Sequence, residues 1–328
     1  MRNTKAHKSA TDESPVAVKE DIKVDKAIEL ALVASEAFET EIFFKMARQL
    51  YQDCSTQCED LFDIAMEKTD GFAHITPKVI LEDSRVIKVL RYCMLPVISQ
   101  MKLGQLVDLP STKDFEDARI EKGALFMKLE RVASKMCNLF VKYLDVQRFL
   151  WHQTNVTRKQ YALAVEYAKR WTCSLIANQN SSTAFRNWRK ELQETAAVNQ
   201  IVKAGYVSVP TRRIITRTDD ILPGQFSREC RVKGRNVQKA DIAVRLKRTH
   251  KLLLIEAKAI GVRIDAFKRI KECREKFNDW KQTFGNQIEV GVVLSGFIPA
   301  REYQSLVDEG AHVFWEHRKA DLYDFVKK

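Results

Sequence analysis

A chain of 328 residues is one large domain or two ordinary ones at ~100–200 residues each, and either size closes a core without disulfides or a structural metal. Its 45% hydrophobic and 30% charged residues are the profile of a globular protein. No run approaches the ~18 apolar residues of a membrane-spanning helix, and the polar stretch from Met1 to Asp25 holds no secretory signal, so the expectation is a cytoplasmic chain with no membrane partner.

Residues 1–24, rich in Ser, Thr, Lys and Glu and without an aromatic, are expected to be disordered. From Asp25 onward Ile28, Leu32, Ala34, Phe38, Ile42, Met46 and Leu50 recur at three- and four-residue steps, predicting a helix that ends near Cys54. Further helical patterns cover residues 56–68, 78–101 with a kink or division at Pro96, and 115–171 with a break near Asn155 and Thr157.

The character changes near residue 180: Gly71, Gly104 and Gly123 are the only glycines before it, and eight of the eleven lie after. Residues 183–204 are helical in pattern and closed by Gly205. Short strand-like runs follow at 206–209 and 213–216, and Asp219-Asp220 with Pro223-Gly224 reads as a loop. Residues 241–246 alternate like a half-buried strand, and 251–257 are apolar enough for a strand covered on both faces. Helix is predicted at 263–284, strand at 288–294 with a turn at Ser295-Gly296, helix at 300–309, strand at 311–315 and helix at 320–326. The fold class is therefore α/β (α+β), with a helical part over 25–180 and a central mixed sheet flanked by helices over 181–328.

The seven cysteines are odd in number and follow no leader, which suits reduced thiols. Cys54 and Cys58 lack the second ligand pair of a zinc site.

The net charge of +12 is uneven. Residues 1–180 hold 26 basic and 25 acidic side chains, residues 181–328 hold 29 and 18, and residues 211–251 alone hold 12 and 4. A one-sign excess in one segment points to a polyanion, because Lys and Arg displace the counterions condensed on phosphates. Candidate DNA contacts are Arg212, Arg213, Arg217, Arg228, Arg231, Lys233, Arg235 and Lys239. Arg186, Arg189 and Lys190 are added near a helix start.

The chemistry falls on two neighbouring predicted strands. Asp241 opens one, and the next carries Glu256-Ala257-Lys258. Alternate residues of a strand share a face, so Glu256 and Lys258 emerge together, and a bend near residues 248–250 brings Asp241 beside Glu256. Two carboxylates suit Mg²⁺, and a charged Glu and Lys ending a Leu-Leu-Leu-Ile run are costly to bury without partners. His312 and His317, with Asp308 and Glu316, are close enough in sequence to suggest a metal site, but His312 on an apolar strand reads as a packed core residue; Ser295 lacks a nucleophile elbow, and no phosphate-binding loop is present.

Lys239-Ala240-Asp241 followed by Glu256-Ala257-Lys258 resembles the PD-(D/E)XK signature of restriction-endonuclease-like folds, with Ala240 where the nominal proline stands. The run from Lys268 through Trp280, Val293-Leu294-Ser295-Gly296 and Val313-Phe314-Trp315-Glu316-His317 are similar to segments of the XamI group of type II restriction endonucleases. The apolar Ala259-Ile260-Gly261-Val262 departs from that group's pattern.

The resemblance implies hydrolysis of both strands of DNA at a short palindrome by in-line attack of a metal-activated water, leaving 5′-phosphate ends. It implies Mg²⁺ on Asp241 and Glu256, with the Ala257 carbonyl as a further ligand and Lys258 at the nucleophile. It adds Glu194, with Glu191 as the second choice, as an acidic residue on the preceding helix. It also implies a homodimer, in which the helical part serves as a dimerisation or DNA-embracing domain, and pairing with a cognate DNA methyltransferase. Two other readings stand beside it: a nuclease of the same superfamily acting on modified, recombining or damaged DNA, and a DNA-binding protein without catalysis.

Overall fold

The computed structural model describes residues 25–152, 157–210, 214–318 and 320–328. The expected disorder of residues 1–24 lies outside them. The chain forms two compact units, one comprising Thr40–Thr195 and the other the described residues up to Glu39 together with Ala196–Lys328.

The helical elements are α1 (Lys26–Lys68), α2 (Pro77–Glu82), α3 (Val86–Tyr92), α4 (Gln100–Leu106), α5 (Lys113–Glu116), α6 (Ala124–Lys142) and α7 (Arg158–Lys203). The expected stop near Cys54 is absent: α1 runs on, since no Gly or Pro interrupts it and Cys58, Phe62 and Ala65 continue its buried face. The helical stretch over 78–101 is divided at Pro96, as expected, into α3 and α4, and is further broken between α2 and α3. The long stretch 115–171 resolves into α5, α6 and the start of α7. Thr157 starts α7 as a capping box: its hydroxyl accepts from Gln160 N at 3.3 Å while its own N–H donates to Gln160 Oε1 at 2.9 Å. Asn155 lies outside the described residues.

The core of the helical unit is built on Phe62, Ile80, Ile87, Leu90, Leu103, Leu129, Met136, Phe140 and Phe149. Embedded in it, Arg91 meets Glu116 in a bidentate pair at 2.9 Å on both arms.

The other unit holds a six-stranded sheet in the order β1-β2-β3-β4-β5-β6. Its strands are β1 (Val207–Ser208), β2 (Gln225–Val232), β3 (Gln238–Arg245), β4 (Leu252–Ile260), β5 (Ile288–Gly296) and β6 (His312–Trp315), with α8 (Arg263–Phe284), α9 (Ala300–Asp308) and α10 (Ala320–Lys327) between and after them. The β2–β3 and β3–β4 pairs are antiparallel, while β1–β2, β4–β5 and β5–β6 are parallel. Strand β2 was not anticipated from sequence, and of the run expected at 213–216 the described residues 214–216 form no strand beyond one bridge from Ile215 to Val232.

The central strand β4 is covered on both faces, which is why Leu252-Leu253-Leu254-Ile255 carries no alternation. Leu252 and Leu254 pack with Ile270, Cys273, Phe277 and Trp280 of α8, and Leu253 and Ile255 with Ala197 and Ile201 of α7 and Val326 of α10. The N-terminal end of α1 joins the α8 side through Ala31.

Gly296 belongs to β5, and not to the turn expected there, and its φ of 99° lies in the region open to glycine. A Cβ at this position would overlap the Ile260 carbonyl oxygen. Gly296→Ala is expected to cost at least about 2 kcal/mol, because strained backbone alone costs ~1–3 kcal/mol and the overlap adds to it. A urea-unfolding midpoint unchanged from wild type would refute this.

Candidate active site on strands β3 and β4

Strands β3 and β4 pair with Ile242 opposite Ile255. The ladder ends there, and Asp241 and Glu256 are the next residues of the two strands. Glu256 shares the α8 side with Leu252 and Leu254 at alternate positions of β4, and meets Lys276 of α8. Glu256 is fully buried and Asp241 is 7% exposed. The hairpin that brings them together bends where the spacing predicts, through residues 246–251 with His250 at φ 56°.

Asp241 Oδ2 accepts from the Ala257 N–H at 2.8 Å, which fixes the carboxylate across the strand pair. Lys258, two residues past Glu256 and hence on the same face, places Nζ 2.8 Å from Glu256 Oε2. Burial works to lower the pKa of Lys258, but the charge of Glu256 outweighs it and holds the ammonium well above the usual lysine range. Two thiols lie beside the group. Burial pushes Cys273 up to about 12 and Cys230 up to about 12, so neither is a nucleophile at neutral pH.

A second lysine, unmarked in sequence, enters from α8. Lys276 Nζ lies 2.8 Å from Glu256 Oε1, 2.9 Å from Oε2 and 2.8 Å from the Lys239 carbonyl oxygen. Asp279, also on α8, is 8% exposed and ties down the turn between β2 and β3: it accepts from the Arg235 N–H and from Gln238 Nε2, each at 2.8 Å. The basic segment is thereby held to the helix that flanks the carboxylates. Asp279 carried no signal in sequence beyond being an acidic residue on an amphipathic helix.

The basic residues fall in several environments. Arg217 is exposed and forked onto Asp219 at 3.1 and 2.9 Å. Arg231, Lys233, Arg235 and Lys239 are exposed on or beside β2 and β3, and Arg228 is half-buried. Lys239 pairs with Glu229 at 2.6 Å and Arg235 with Gln282 at 2.6 Å. Arg212 and Arg213 lie outside the described residues.

Arg186, Arg189, Lys190, Glu191 and Glu194 are on α7 in the Thr40–Thr195 unit. Arg189 is 3% exposed, so its guanidinium does not sit at the surface as a phosphate contact requires; it faces the inner side of the helix while Arg186 and Lys190 face out. Glu194 is buried, with Lys190 Nζ 3.3 Å from its Oε1, whereas Glu191 is exposed and accepts from Thr195 at 3.1 Å. His312 is half-buried and meets Glu289 at 2.9 Å and the Phe325 ring at 4.4 Å, a packed arrangement.

No group of three or more His, Cys, Asp or Glu side chains arranged for a metal occurs among the described residues. Two neighbouring carboxylates and a backbone carbonyl nonetheless fit a hard, well-hydrated cation, which takes one or two carboxylates and keeps several waters.

The profile of the XamI restriction endonuclease family matches residues 70–315 of this chain. The type II restriction enzyme SalI of Streptomyces albus G is 28% identical over 303 residues, covering 88% of this chain and 94% of that enzyme. The type II restriction enzyme XamI of Xanthomonas campestris pv. amaranthicola is 27% identical over 239 residues, covering 70% of this chain and 80% of that enzyme. Among solved structures, the crystal structure of protein VC1899 from Vibrio cholerae matches at a TM-score of 0.27 and 14% identity, over 85% of this chain and 56% of that one. That likeness is too low to carry an argument. With the family match taking in the helical elements from α2 onward as well as β3, β4 and α8, the chain belongs to the XamI restriction endonuclease family.

Proposed function

We propose that the protein is a type II restriction endonuclease that cuts both strands of DNA at a short palindrome, depends on Mg²⁺ and leaves 5′-phosphate and 3′-hydroxyl ends. The observation that carries this reading is the reach of Asp241 from β3 to the Ala257 N–H of β4 at 2.8 Å, next to Glu256, with Lys258 Nζ 2.8 Å from Glu256.

Asp241, Glu256 and the Ala257 carbonyl would hold the divalent ion. When bound, such an ion offsets charge building on the phosphodiester and makes water more acidic. The chain's own part is positional and electrostatic. The Ala257 N–H keeps Asp241 in place. Lys258, held protonated, orients the attacking water and stabilises charge on the phosphate. The exposed Arg217, Arg231, Lys233, Arg235 and Lys239, with Arg212 and Arg213, bind the polyanion as phosphate or base contacts. Arg228, Arg186 and Lys190 add positive charge.

A homodimer follows from the palindrome, since a two-fold site is matched by a two-fold protein with one carboxylate pair per strand. A cognate methyltransferase is the expected partner in the host, which protects the genome from cleavage.

Incubation of the protein with phage DNA and Mg²⁺ is expected to give discrete fragments, and EDTA to abolish them. A smear or structure-dependent nicking would sink the site-specific reading in favour of a nuclease for altered DNA. Salt-sensitive binding without any cleavage would sink catalysis altogether.

A further inference from the structure

Glu256 is fully buried and bears more positive charge than the signature lysine alone would supply. Lys258 touches only Oε2, at 2.8 Å. Lys276 lies nearly equidistant from the two oxygens, 2.8 and 2.9 Å away. That is the chelating edge of the carboxylate, the position a divalent ion takes when both oxygens bind it. An ammonium and a divalent cation cannot share it: they would compete for the same lone pairs and repel one another at close range.

The two lysines differ in their freedom to leave. Lys258 is rooted in the central strand β4 and its side chain is 15% exposed. Lys276 comes from α8 on a flexible four-carbon stem, and its side chain is 25% exposed. Its ammonium can return to water without disturbing the sheet.

We infer that Lys276 is a positioning residue that acts as a built-in counter-ion: it occupies the chelating edge of Glu256 in the metal-free protein and gives it up when the divalent ion enters. This rests on the proposed metal site at Asp241 and Glu256. Lys276 holds a buried carboxylate in place while no metal is present, and it sets a threshold that the ion must overcome. Its third contact, to the Lys239 carbonyl, holds it beside the strand that carries Asp241.

The test is direct metal binding by the full chain without DNA, followed by the electron paramagnetic resonance signal of free Mn²⁺. Lys276→Met is expected to bind Mn²⁺ about tenfold tighter than wild type or more, as removal of a competing charge at contact distance requires. Lys276→Arg, which keeps the charge, is expected to stay near the wild-type affinity, and Glu256→Gln to lose binding. Equal or weaker binding by Lys276→Met overturns the inference.

A second measurement needs no variant. Acetic anhydride labelling of Lys276 in the wild-type chain, read by mass spectrometry, should rise several-fold on addition of Mg²⁺. Unchanged labelling overturns displacement. Mn²⁺ uptake by none of the proteins would overturn the metal site itself, and so is distinguishable from failure of Lys276 alone.

Discussion

Asp241→Asn and Lys258→Met are each expected to lower DNA cleavage by roughly 10²–10³-fold or more, the scale of losing one group that stabilises transition-state charge, while DNA binding stays near wild type. The first substitution is chosen for its shape. An Asn side chain still accepts from the Ala257 N–H, so the strand pair keeps its 2.8 Å contact and only the charge is removed. Asp241→Ala should abolish cleavage too, but it also leaves a buried amide without a partner, at about 1–3 kcal/mol. Lys258→Met removes the ammonium from a side chain that is 15% exposed and replaces it with an apolar one of similar length. Binding is spared because neither group belongs to the exposed basic surface of β2 and β3, to which the proposed function assigns the phosphate contacts. Gel-shift titration at fixed salt, run beside the cleavage assay, separates the two effects. Wild-type cleavage by both variants would disprove the site.

Arg91→Met is expected to destabilise the helical unit by about 3–5 kcal/mol, the cost of leaving one member of a buried ion pair alone. Arg91 is 5% exposed and Glu116 is 2% exposed. Beyond the bidentate pair, Arg91 Nη1 donates to the Ile98 carbonyl at 2.6 Å, and Glu116 accepts from Thr112 Oγ1 at 2.8 Å and Gln100 Nε2 at 3.0 Å. This network ties α3 to α4 and α5 across segments with few long helices to hold them. Removing both charges together, as Arg91→Met with Glu116→Leu, should recover much of the loss, because the penalty comes from the charge left behind. Chemical denaturation of the two variants checks this. A single variant as stable as the wild type would contradict it.

Much of the sheet unit was legible in the amino-acid order. The lengths and places of α8, β5, α9, β6 and α10 follow from period and turn signals, and the paired carboxylates follow from two facts: the strand period of two, and a Leu-rich run that makes Glu256 and Lys258 conspicuous. Strand β2 was hidden because its burial does not alternate. Phe226 and Ser227 are both buried, and Glu229, at φ 48°, breaks the pattern before Cys230 and Val232 resume it. Its arginines also read as a charged segment before they read as a strand.

Helix α1 was divided at Cys54 because its apolar stripe drifts. The backbone has no reason to stop there, and beyond Cys54 the buried positions continue at Cys58, Phe62 and Ala65.

Sequence by itself therefore determined which charged side chains come together on β3 and β4, Asp241, Glu256 and Lys258, and that a basic segment lies beside them in the chain. Local periodicity is enough for that, because it decides which side chains share a face. Only the tertiary structure decided which further groups join them. Nothing in the order of α8 sets Lys276 apart from Lys268, Lys271 or Lys281. The docking of Ile270, Cys273 and Phe277 against β4 rotates the helix so that this one lysine reaches Glu256. The same docking puts Asp279 under the Arg235 turn, and the packing of α7 turns Arg189 inward while Lys190 faces out. Rotation of a helix about its axis is settled by side-chain packing over long separations in the chain, and no short stretch of residues encodes it.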